Sequence, residues 1–218
     1  MNGYYLQLVY GLEVTLSLAA AALLLGVTLG LLGAALGLSR FAFVRNSVGV
    51  LVSFIRALPE LLILFFIYYG GAELINALVG HYVNISPFVA GVIALGVVFG
   101  AYATQVFHGA LMAVSHHQIE AAAALGFSNK QIFFLIYLPQ AWRHALPGLG
   151  NLWVTLLKDT SIVTLIGLTD MMNATKLAAA ATGQPFNWYL LVSGIYLFIT
   201  STSEWLLKRY TSTESRSC

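Results

Sequence analysis

Long apolar runs separated by short polar breaks dominate the chain, and five of them reach the roughly 20 residues that a helix needs to cross a bilayer. They cover about 14–38, 48–72, 86–114, 146–168 and 186–207. Apolar residues follow one another in these runs instead of alternating at period two, which predicts helices and not barrel strands. Between the third and fourth runs, 115–139 is amphipathic and too polar to span. The pattern predicts an all-α integral membrane protein with five transmembrane helices and one short helical segment at the membrane surface. The whole chain, 1–218, reads as a single transmembrane domain, without internal repeat, linker or second domain.

Composition strengthens this reading. Hydrophobic residues make up 59% of the chain and charged residues 8%, against about a quarter charged in soluble domains. Such a chain cannot cover itself with a water-facing surface. The ten Lys and Arg residues are scattered, and the formal charge of +2 does not suggest nucleic acid. Arg40 and Arg45 follow the first span, Lys130 and Arg143 follow the third, and Lys208, Arg209 and Arg216 follow the fifth. The positive-inside rule places those three regions in the cytoplasm, with the N-terminus outside and the C-terminus inside. The opposite face then receives Glu13 and the stretches 73–81 and 170–184. Cys218, the sole cysteine, excludes an intrachain disulfide. No cleavable leader is expected at the start of the chain.

Glycines 26, 30, 33 and 37 give the first span two GxxxG spacings, a groove that admits another helix. In the surface segment, Gly126 offers a helix stop, and Ser128 can cap a helix opening at Asn129. A helical knob at the membrane surface results.

The same segment carries a spaced pattern: Glu120-Ala121-Ala122, three residues, Gly126, nine residues, Ile136, one residue, Leu138-Pro139. It resembles the EAA loop of bacterial ABC importer permeases at every defined position. The chain is also similar to the polar amino acid permeases, the histidine, arginine, glutamine and opine group. That likeness runs through Ser53 to Glu60, Phe66-Ile67-Tyr68-Tyr69-Gly70, Trp142 to Asn151 and Leu157 to Ser161; Ala57 stands where the group usually has Gly. The resemblance implies a type I importer permease in the bacterial inner membrane, translocating a polar and cationic amino acid, arginine first, with histidine, lysine or an opine as alternatives. It implies that Glu120, Ala121, Ala122, Gly126 and Pro139 form the contact with a cytoplasmic ABC ATPase dimer. A second permease subunit, identical or homologous, and a periplasmic substrate-binding protein are the other implied partners. ATP and Mg would be bound by the partner ATPase. The chain itself has no GxxxxGK[ST] phosphate loop, so no cofactor, catalytic residue or metal site is expected on it.

Ionisable residues within spans cost about 2.5–3.5 kcal/mol each on the insertion scale and are functional candidates by default. Arg56 and Glu60 are spaced to pair on one helix face; the favoured alternative is that Glu60 faces the translocation cavity and meets the cationic end of the substrate. Asp159, Thr160 and Ser161 offer complementary groups to a zwitterion, or else fix helix packing together with Lys158. Tyr102 and Gln105 complete the candidate cavity, with His108 one turn on. His116 and His117 read as solvated. An ion-coupled secondary transporter is the competing class. It would be expected to carry internal repeats around midplane ion sites, and none is visible.

Overall fold

The computed structural model describes residues 2–80 and 85–215; His81, Arg216 and Cys218 lie outside them. Among the described residues the chain is helical throughout, with no strand. The first helix, α1 (Asn2–Gly37), is longer than the predicted span. At 1.5 Å per residue it measures about 54 Å, against a hydrocarbon core of about 30 Å. The polar residues and tyrosines before Val14 lower local hydropathy without breaking the backbone ladder. Tyr4 and Tyr5 pack against Trp188, edge-on and tilted, with ring centroids 6.1 and 5.4 Å away, an aromatic arrangement suited to an interface.

The second predicted span divides in two. Its first part lies in α2 (Ala42–Ala57), which stops because Leu58 precedes a proline and is driven to an extended conformation, φ −87°, ψ 142°. The apolar helix then restarts as α3 (Glu60–Phe65), passes through a wider π turn over Phe66–Gly70 and continues as α4 (Gly71–Val79). Glu73, placed in a loop by the sequence, is therefore helical. The stretch long and apolar enough to span is Glu60–Ala77.

The third span, α5 (Pro87–Met112), is the axis of the core, packed by α1, α2, α3 and the helix described next but two. Glycines set the closest approach. A Cβ on Gly30 would lie 2.6 Å from that of Ala103, and one on Gly26 2.5 Å from Phe99 Cδ1. Gly96 and Gly100 of α5 answer with equally tight approaches to Leu25 and Leu29. The predicted groove of small residues is thus a two-sided glycine contact.

The surface segment folds as α6 (His116–Ala124), a turn, and α7 (Asn129–Ile132), which runs through a π turn at Phe133–Tyr137 into α8 (Leu138–Asp159). Past Asp159 the helix tightens to a 3₁₀ helix over Thr160–Ile166, ending at Gly167 with φ +89°. After this break comes α9 (Met171–Thr182), bent 58° from the preceding helix. The sequence placed 170–184 in a loop. Instead Met171, Thr175 and Ala178 are fully buried between α1 and α10 (Pro185–Ser215). Thr15 Oγ1 of α1 accepts the Met171 N–H at 3.2 Å, and Gly11 lets α1 close onto the Asp170–Met171 backbone. Asp170, also fully buried, caps α9 by accepting the Asn173 N–H at 2.9 Å. Short Ala and Thr residues made this helix look too polar to be covered.

Candidate functional site

Glu60 opens α3 immediately after the Pro59 break, which re-aims the chain so that the carboxylate faces α5 and α8. There a cavity of about 330 Å³ is lined by Glu60 of α3, Tyr102 of α5, and Asn151, Thr155 and Asp159 of α8. The rest of its wall is apolar, including Leu95, Phe99 and Leu156. Asn151, Thr155 and Asp159 recur every four residues and so form one stripe on α8. Glu60 and Asp159 thus face the same cavity from two different helices. Like charges that line one small cavity repel each other. A cation or a shared proton between them relieves such repulsion.

Arg56 touches one residue of the wall, Tyr102. Its guanidinium lies over the Tyr102 ring, 4.9 Å from the centroid, within cation–π range. The i,i+4 ion pair that the sequence allowed with Glu60 does not form, because the Leu58–Pro59 break ends the shared helix. Among the described residues Arg56 makes no ion pair with any carboxylate.

The remaining candidates are dispersed. Thr160 is fully buried and donates to Leu157 O at 2.7 Å; Ser161 donates to Lys158 O at 2.8 Å. Both hydroxyls close onto their own helix in the 3₁₀ turn. Lys158 and Ser161 face a separate hollow with Tyr189 and Tyr196. Gln105 and His108 line a groove between α1, α2 and α5 that does not include Glu60. Asn151 and Thr155 were not singled out by the sequence, although their spacing back from Asp159 was the available signal.

The second site is the knob. Helix α6 ends in a Schellman motif: Phe127 N–H bonds to Ala122 O at 3.2 Å and Gly126 N–H to Ala123 O at 3.0 Å. Gly126 sits in the left-handed region with φ +85°. Ser128 then caps α7 in a reciprocal capping box with Gln131. Ala122 turns inward and is buried, whereas Glu120, Ala121, Gly126 and Pro139 face outward. Glu120 accepts from His116 Nδ1 at 3.1 Å and has His117 Nδ1 at 3.6 Å. The adjacent histidines, read as merely solvated, reach the same carboxylate from positions i−4 and i−3. Leu125, Phe134 and Leu135 of the same segment are exposed.

The two sites are joined through the backbone. Tyr137 OH donates to Leu111 O at 3.0 Å, tying the knob to the end of α5. One helical path carries Pro139 at its start and Asp159 about 30 Å further on. The knob and one wall of the cavity thus share α8.

Known proteins resemble this chain along most of its length. Residues 26–210 match the family model of the binding-protein-dependent transport system inner membrane component. The arginine ABC transporter permease protein ArtQ of Escherichia coli (strain K12) is 41% identical, covering 96% of this chain and 94% of that protein. The histidine/lysine/arginine/ornithine transport system permease protein HisQ of the same organism is 40% identical, covering 95% and 92%. A crystal structure of an amino acid ABC transporter with histidines superposes with a TM-score of 0.86 at 30% identity, covering 98% of this chain and 96% of that one.

Proposed function

The chain belongs to the family of binding-protein-dependent transport system inner membrane components, and from that premise we propose that it is the permease of an importer for a cationic amino acid, arginine first. It has the type I ABC importer permease fold and is a transport subunit. The facing Glu60 and Asp159 carboxylates carry the choice of substrate, since they favour a guanidinium or ammonium over a neutral side chain. Relatives named for arginine, and for histidine, lysine and ornithine, support the same class.

In this reading the chain lies in the bacterial inner membrane with its N-terminus periplasmic and its C-terminus cytoplasmic. Two permease subunits, identical or homologous, place their cavities along a shared path. A periplasmic binding protein delivers the amino acid. A cytoplasmic ATPase dimer, holding ATP and Mg, grips the outward face of the knob at Glu120, Ala121, Gly126 and Pro139, and its closure is passed along α8 to the cavity. Inactivating that ATPase is expected to reduce uptake to background, while collapsing the proton and sodium gradients at constant ATP leaves it unchanged. Uptake that follows the gradients and ignores the ATPase would overturn the proposal.

A further inference from the structure

The charges around the cavity are unequal. Two carboxylates, Glu60 and Asp159, line it, and one guanidinium, Arg56, sits on the Tyr102 ring that forms part of its wall. A dibasic amino acid carries the complement: two cations, the α-ammonium and the side-chain group, and one anion, the α-carboxylate. We propose that Arg56 is the specificity-determining residue that receives the substrate's α-carboxylate, leaving Glu60 and Asp159 for the two cationic groups. The inference rests on the cationic-substrate reading above and adds the third point of attachment.

Three features support it. Arg56 has no carboxylate partner among the described residues, although Glu60 is only four residues away. The Leu58–Pro59 break separates Arg56 from Glu60, which prevents the two from neutralising each other and keeps both available. Stacking on Tyr102 then orients the planar fork of the guanidinium, whose paired N–H groups match a carboxylate in a way that a lysine ammonium does not. The exposed Arg56 side chain can hold the ring and still present this edge to a ligand.

The test is equilibrium binding of radiolabelled arginine and of agmatine, its decarboxylated analogue, to the permease–ATPase complex in lipid nanodiscs. Omitting the binding protein keeps its own selectivity out of the measurement. Wild type is expected to bind arginine at least about tenfold more tightly than agmatine, a charge-assisted contact contributing about 1.5–3 kcal/mol. Arg56→Gln is expected to bring arginine down to the affinity of agmatine while leaving agmatine unchanged, and Arg56→Lys to restore only part of the difference. An Arg56→Gln complex that keeps the preference for arginine, or that loses both ligands equally, would overturn the assignment of Arg56 alone. A wild-type complex that binds neither ligand would overturn the cationic-substrate reading and this inference with it.

Discussion

Replacing both cavity carboxylates, Glu60→Gln with Asp159→Asn, is expected to lower arginine uptake by about a hundredfold or more. Each loses a charge-assisted contact of about 1.5–3 kcal/mol, and a factor of ten corresponds to about 1.4 kcal/mol. Both substitutions keep side-chain size and hydrogen-bonding capacity, so the apolar wall of Leu95, Phe99 and Leu156 still packs. They also remove the repulsion between the two acids, so membrane levels of the complex should hold or rise. The diagnostic comparison is citrulline, which has the length of arginine without its charge. Its uptake relative to arginine should increase in the double variant. An equal fall for both amino acids would mean that the two acids serve the packing of α3 against α8 and not the choice of substrate.

The second large effect is expected at Gly126. With φ at +85°, any L-residue there pays about 1–2 kcal/mol to enter the left-handed region, and a β-branched one more. Gly126→Val should relax that turn, release the Phe127 and Gly126 N–H groups from the end of α6, and move the outward face carrying Glu120 relative to Ser128 and α7. Uptake should fall more than tenfold while the cavity still binds arginine and the complex retains basal ATP hydrolysis without stimulation by substrate. Gly126→Asn, whose side chain tolerates this backbone region, should keep most of the activity. Equal transport by the valine variant would remove the knob from the coupling path.

Much of this arrangement was legible in the sequence because membrane physics is restrictive. Long apolar runs leave few options in lipid, and the helix stop at Gly126, the cap at Ser128 and the glycine groove of α1 each follow from local backbone chemistry. What escaped was decided by tertiary contact. Pro59 was visible, yet the hydropathy of its neighbours hid the fact that it ends one helix and starts another, which separates Arg56 from Glu60. Helix α9 looked like a loop because its Ala and Thr side chains are short, and only α1 and α10 make them a buried surface. Thr160 and Ser161 resembled ligand groups by type, but they bond to their own backbone where the helix narrows. Asn151 and Thr155 gained significance only once the side of α8 facing Glu60 was known.

In the proposed function Glu60 and Asp159 meet the cationic groups of the substrate inside one cavity. A structure of the complex with bound arginine tests it most directly. Guanidinium and α-ammonium nitrogens are expected within about 4 Å of the Glu60 and Asp159 carboxylates, in the space bounded by Tyr102, Asn151 and Thr155. Arginine bound away from both acids, with this cavity left to water or lipid, would contradict it.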